Sequence, residues 1–133
     1  MIKILLIDDD EDFVTNLKEL FELVGYEIEI ACDGEVGFQL LDKIGFHLII
    51  CDMHMPKMSG LQFMEKLLTV MSKPYIPVIF HSANLTEIEK FKLEALKSAA
   101  ILQKSTPFQK LNGEVLKILS KIPDNNFSGQ LDL

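Results

Sequence analysis

The sequence predicts an α/β protein: a doubly wound, five-stranded parallel sheet with helices on both faces. Three observations carry this. Short, isoleucine-rich apolar runs recur along the chain, and continuous runs of this length suit parallel strands buried on both sides. Amphipathic stretches with apolar spacings of three and four fill the intervals between them. The resulting order, βαβαβαβαβα, requires crossover connections and hence parallel pairing.

The first strand is KILLI (3–7). A helix over 10–24 follows, with Phe13, Val14, Leu17, Leu20, Phe21 and Val24 on one side and Gly25 just past its end as a C′ residue. YEIEIA (26–31) alternates, which suits a strand less fully covered on one side, at an edge. The second helix (34–44) carries Val36, Leu40, Leu41 and Ile44, and Gly45 follows it. HLII (47–50) is the third strand, and a helix over 59–71 carries Leu61, Phe63, Met64, Leu67, Leu68 and Met71. YIPVIF (75–80) is the fourth strand, followed by a helix over 85–97 with Leu85, Ile88, Phe91, Ala95 and Leu96. AAILQ (99–103) is the weakest strand, and the last helix (108–121) carries Phe108, Leu111, Val115, Leu116 and Leu119. PDNNFSGQLDL (123–133) is polar and aperiodic, so the domain is drawn at 1–122 and the rest as a polar tail or a cut linker.

The 133 residues suit one domain large enough to bury its own core. No apolar run approaches the ~18 residues of a membrane span, and no charged n-region precedes an apolar h-region. Cys32 and Cys51 lack metal-site spacing and are expected to be reduced and packed. The net charge of -7 argues against direct nucleic-acid binding, which needs a basic surface. These features suggest a cytoplasmic domain whose partners are proteins or cations.

In a doubly wound sheet the reactive groups gather beyond the carboxyl ends of the strands. Asp8 and Asp9 follow the first strand, Asp52 the third, Ser82 the fourth and Lys104 the fifth. Three close carboxylates repel unless a cation answers them. Oxygen ligands suit Mg²⁺, with Mn²⁺ as the alternative ion. A carboxylate beside such a cation can attack a phosphoryl group and form an aspartyl phosphate, while metal and lysine neutralise the oxygens in flight. Blander accounts exist for each residue alone. Acids at a helix start complement the macrodipole, and Asp10, Glu11 and Asp12 obey that rule. Asp52 before a Met-Pro turn is by itself a strand-ending residue, Ser82 and Lys104 say little singly, and a lone His54 suits a turn or surface. Their coincidence at four strand ends carries the site.

At these positions the chain resembles the receiver domain of two-component response regulators, of the chemotaxis-receiver kind. ILLIDDD resembles that family's first strand and acidic pair, IICDMHMPKMSGLQFM its third strand, phosphoacceptor and Met-Pro-x-Met-x-Gly loop, PVIFHSA its fourth strand, and ILQK its fifth. The resemblance covers about residues 1–121. It implies a flavodoxin-like (βα)5 fold with strand order 2-1-3-4-5. It implies that Asp52 accepts a phosphoryl group from a sensor histidine kinase or phosphotransfer protein. Asp9 would ligate Mg²⁺ directly and Asp8 mainly through water, with Asp52 and the backbone carbonyl of His54 completing the protein ligands. Ser82 would bond a phosphoryl oxygen and draw its loop inward. Lys104 would pair with another, and with Asp52 beforehand. Met55, Pro56 and Gly60 would shape the loop. The face made by the fourth helix, fifth strand and fifth helix would change on activation, toward an unknown output, in a monomer or a phosphorylation-dependent dimer.

Three departures from the family pattern stand out. Ser105 and Thr106 separate Lys104 from Pro107, so the X–Pro bond lies away from the lysine and loosens its expected pose. Ile101 stands where the family has the aromatic switch residue, and it has no ring and a stiff χ1. Lys97-Ser98 replaces the usual Gly-Ala before the fifth strand, which predicts a looser turn. The side chain of His54, two residues past Asp52, is expected to tune dephosphorylation.

The function these features predict is a phosphoacceptor switch that helps catalyse its own modification and is not a turnover enzyme. One rival is a phosphorylation-independent pseudoreceiver or adaptor, favoured by Ile101 and KSTPF. Another is a Mg²⁺ hydrolase of the haloacid-dehalogenase kind using Asp8 and Asp10, which leaves the Met-Pro loop unexplained. With no DNA-binding segment after residue 121, a stand-alone regulator and the N-terminal piece of a longer one both remain open.

Overall fold

The computed structural model describes residues 1–70 and 76–122. Among them five strands and five helices alternate: β1 (Lys3–Ile7), α1 (Glu11–Leu23), β2 (Glu27–Ala31), α2 (Gly34–Lys43), β3 (Leu48–Cys51), α3 (Gly60–Val70), β4 (Val78–Ser82), α4 (Glu87–Ala95), β5 (Ala100–Gln103) and α5 (Phe108–Ser120). The strands form one parallel sheet in the order β2-β1-β3-β4-β5. The switch in strand order therefore lies between β1 and β3, the place where such sheets bind ligands.

Register explains the two cores. Ala31, Ile7, Cys51, Phe80 and Ile101 pair in one row across the sheet. They share a face with Leu5, Ile49 and Val78, and pack against Phe63, Met64 and Leu67 of α3 and Leu93 of α4. The alternate residues Ile4, Leu6, Ile28, Leu48, Ile50 and Ile79 meet Val14, Leu17 and Phe21 of α1 and Leu111, Val115 and Leu119 of α5. β2 is an edge, as its alternation predicted, with Glu27 and Glu29 exposed and Ile28 and Ala31 buried.

Side-chain caps set where three of the helices start. Asp10, Asp33 and Thr86 each accept from a backbone N–H three residues on and open α1, α2 and α4. At the end of α1, Gly25 adopts a φ of 103°, Gly25 N donates to Glu22 O and Tyr26 N to Phe21 O, which is a Schellman turn. The turn before β5 has the same two bonds, Lys97 N to Glu94 O and Ser98 N to Leu93 O. It is tight, contrary to expectation, because Lys97 itself takes the left-handed conformation, at a φ of 66°.

Other boundaries also differ from the sequence expectation. β4 starts at Val78 and runs through Ser82, which pairs with Gln103. Pro77 has no N–H for a ladder and precedes the strand, although its carbonyl accepts from Ile49 N at 3.0 Å. α4 starts after Thr86, so Leu85 lies outside it, and its buried residue is Leu93, while Ile88 and Phe91 are 67% and 71% exposed. Cys51 is buried as expected, but Cys32 is exposed in the bend beyond the β2 edge. Met71, Tyr75 and the tail 123–133 lie outside the described residues. No described helix is long and apolar enough to cross a membrane.

Candidate functional site

Parallel pairing brings the ends of β1 and β3 side by side, and the bonding continues one step beyond them. Asp8 N donates to Ala31 O at 3.0 Å, and Asp52 N to Ile7 O at 2.9 Å. Asp8 and Asp52 are thereby fixed at the rim, only 7% and 6% exposed. Asp9 is exposed beside them, and carboxylate oxygens of all three lie within 4.8 Å of one another. Asp10 turns away and caps α1, its Oδ1 accepting from Phe13 N at 3.1 Å. The acidic run thus splits between rim and helix, and Asp10 does not join the cluster.

Each buried carboxylate is held by a backbone donor. Asp8 Oδ1 accepts from Asp10 N at 3.0 Å, and Asp52 Oδ1 accepts from Met53 N at 2.8 Å. The other oxygen of each meets Lys104. Lys104 N continues the β4–β5 ladder by donating to Ser82 O at 3.0 Å, which sets the direction of its side chain. Its Nζ lies 2.9 Å from Asp8 Oδ2 and 3.5 Å from Asp52 Oδ2, and 4.7 Å above the Phe13 ring. The expected pair with Asp52 is present, but the shorter contact is with Asp8. The inserted Ser105-Thr106 leaves the lysine at the acids, because the ladder fixes it before the turn closes, with Thr106 N donating to Gln103 O at 2.9 Å.

Burial pushes the Asp8 carboxyl up, and the Asp10 N–H and Lys104 bonds only partly offset it, while Asp52 adds to the rise. Burial draws the Lys104 ammonium down, yet the bond to Asp8 and the charges of Asp8 and Asp52 raise it overall. One lysine therefore only partly answers two buried acids, and a divalent cation suits the remaining charge. Ser82 supports the same conclusion. Its Oγ is buried and has no hydrogen-bond partner among the described residues, a costly state for a hydroxyl that an oxygen ligand would relieve. The donor set fits Mg²⁺: hard oxygens, few carboxylates, and one exposed side at Asp9.

The loop after Asp52 is tightly made. Gly60 N donates to Met53 O at 2.7 Å, and a Cβ at Gly60 would stand 2.6 Å from Asp52 O and 2.8 Å from Met53 Cα. Met58 N donates to Pro56 O at 2.7 Å across Lys57, whose φ of 69° makes this a γ-turn. Met55 packs on the α3 side of the core. Ser59 and Gln62 exchange side-chain and backbone bonds to start α3. His54 points outward, and its Nε2 lies 3.0 Å from Glu89 Oε2 at the start of α4. Ile101 is half-buried on the Phe80 side of the sheet.

Two contributors escaped the sequence reading. Glu89 was legible only as the end of a Thr-x-x-Glu capping signature, because its contact with His54 spans 35 residues. Phe13 was legible only as a core residue, although its ring lies under Lys104 and 5.4 Å from the His81 ring.

Acids grouped at the switch point of a 2-1-3-4-5 sheet place the protein among the doubly wound folds whose ligand sites lie there. More particularly, the response regulator receiver domain family matches residues 4–116, and the chain belongs to that family. It is 35% identical over 95 residues to the transcriptional regulatory protein CpxR of Escherichia coli (strain K12), covering 71% of this chain and 40% of that protein. It is 33% identical over 129 residues to the chemotaxis protein CheV3 of Helicobacter pylori, covering 90% of this chain and 41% of that one. The chain thus spans about two fifths of the length of these relatives. In fold it is similar to a CheY-like receiver domain protein from Methanospirillum hungatei, with a TM-score of 0.85 at 23% identity over 91% of this chain and 95% of that one.

Proposed function

We propose that this domain is a Mg²⁺-dependent phosphoacceptor switch in which Asp52 takes a phosphoryl group from the phosphohistidine of a sensor kinase or phosphotransfer protein. The observation that carries it is the convergence on one rim of buried Asp8 and Asp52, exposed Asp9, Lys104 and a Ser82 hydroxyl that has no partner among the described residues.

Each residue has a task that its surroundings suit. Asp52 is the nucleophile: Met53 N–H holds one of its oxygens and leaves the other facing Lys104. Asp8, Asp9, Asp52 and the His54 carbonyl would hold the ion, which when bound supplies positive charge to the oxygens of the transferring group. Mn²⁺ would serve in the same place. Lys104, whose Nζ lies 2.9 Å from Asp8 and 3.5 Å from Asp52, would pair with a phosphoryl oxygen carried by Asp52. Ser82 gains in the phosphorylated form the bond it otherwise lacks, and the segment between Ser82 and α4 follows it. The face of α4, β5 and α5 passes this change to an output protein or domain. The protein takes part in its own phosphorylation and dephosphorylation and turns over no external substrate.

Ile101 favours a second reading, an adaptor that keeps the fold but does not use phosphate. Binding of BeF₃⁻ with Mg²⁺ separates the two. The switch predicts stoichiometric, Mg²⁺-dependent binding by ¹⁹F NMR, lost in Asp52→Asn. No binding to the folded wild-type protein would favour the adaptor.

A further inference from the structure

We propose that Glu89 is a positioning residue that ties the loop after Asp52 to the start of α4, so that this helix end reports the state of the phosphorylation site. The proposal rests on the phosphoacceptor reading above and names a regulatory connection within the same site.

The connection is built from one carboxylate with both oxygens engaged. Glu89 Oε1 accepts from Thr86 N at 3.0 Å, and Thr86 Oγ1 accepts from Glu89 N at 3.1 Å, so the side chain is held by its own helix cap. Glu89 Oε2 accepts from His54 Nε2–H at 3.0 Å. At the other end His54 directly follows Met53, whose N–H is bonded to the Asp52 carboxylate and whose carbonyl is bonded to Gly60 N. A change at Asp52 therefore reaches the α4 cap through Met53 and His54. Ser82 supplies a second path to the same cap, since only three residues separate it from Thr86.

α4 suits such a role. Leu93 is its one buried residue, and Ile88 and Phe91 stand in solvent, so little packing holds its first turn. Ile101 has no ring to carry the signal on this side of the sheet. The His54–Glu89 pair is half in solvent, where such pairs add little stability. Its contribution is geometric.

The test is amide hydrogen exchange of residues 87–90 with Mg²⁺, with and without BeF₃⁻, while ¹⁹F NMR reports occupancy. In the wild-type protein BeF₃⁻ changes exchange at the α4 start. In His54→Ala, which leaves the cap intact, that BeF₃⁻-dependent difference falls about fivefold at equal occupancy. Glu89→Ala does the same, and the double variant falls no further. Thr86→Ala weakens the cap in both states but retains the difference. The proposal is overturned if His54→Ala keeps the full difference, or if Thr86→Ala abolishes it equally, which would make the effect one of cap stability. Loss of BeF₃⁻ binding in the wild-type protein would instead overturn the phosphoacceptor reading itself, and this proposal with it.

Discussion

At the residue scale, chemistry at the sheet rim follows from which side chains are buried with too few partners. His81 is one of them. It is 3% exposed, its Nε2 has no hydrogen-bond partner among the described residues, and burial, then the nearby Lys104 charge, lowers its pKa from 6.5 to about 4. A depressed base binds protons more readily when unfolded. The stability it confers is thus complete above pH 6.5 and is lost as pH falls from 6.5 toward 4. A shift of this size corresponds to about 3 kcal/mol at the acid end. Urea unfolding across that range should show a steep acid loss in the wild-type protein and a shallower one in His81→Leu. Asp8 acts with the opposite sign, since its raised pKa favours the fold as pH drops, so the comparison of the two proteins isolates His81. A second residue-scale prediction concerns Gly60. The Cβ of Gly60→Ala would stand 2.6 Å from Asp52 O and 3.0 Å from Phe80 Cε1. Overpacking of this kind costs about 1–3 kcal/mol. Denaturant unfolding should show that loss together with weaker Mg²⁺ binding, because the contact displaces the Asp52 backbone. The rim acids, Ser82 and Lys104 were legible in the sequence because each stands within two residues of the end of an apolar run. The preference of Lys104 for Asp8 was not, since it is a difference between 2.9 Å and 3.5 Å among side chains from three strand ends.

At the scale of elements, local chemistry decides boundaries and tertiary packing decides faces. Strands β1 and β3 fell within a residue of where their apolar runs placed them, because continuous burial leaves no other assignment, and the alternation of β2 placed that edge strand as closely. β4 was displaced because hydrophobicity cannot tell a ladder donor from Pro77. α4 misled in another way. Ile88 and Phe91 share a helical period with Leu85, yet the sheet covers the Leu93 side. Nothing within a single helix states which apolar face its neighbour will take. The turn into β5 shows the limit of reading residue types. Lysine suggested a loose turn, but the two Schellman bonds hold Lys97 at a φ of 66°. A β-carbon in this conformation costs about 1 kcal/mol. Lys97→Gly should therefore raise the unfolding free energy by about that amount, measured by chemical denaturation, with no change in Mg²⁺ binding. A neutral or destabilising result would mean that unfolded-chain entropy outweighs the strain.

At the scale of the whole molecule, the parallel sheet is a device for bringing distant residues to one rim. Asp8, Asp52, Ser82 and Lys104 come from four strands, and the strand order puts β1 beside β3 and β3 beside β4. The sheet's two cores make that rim rigid, while α4, with one buried residue, is the least anchored helix next to it. Rigid acids beside a lightly held helix suit a molecule in which a small covalent change has a larger structural reply. In the proposed switch Asp52 is the acceptor and a divalent cation is needed. Intact-mass and peptide mapping after incubation with a small phosphodonor and Mg²⁺ tests both at once. The expected result is a single phosphoryl group on Asp52, absent after chelation of the metal and absent in Asp52→Asn. A protein that stays unmodified with Mg²⁺ present, or that carries its phosphoryl group when Asp52 is asparagine, would rule out Asp52 as the metal-dependent acceptor.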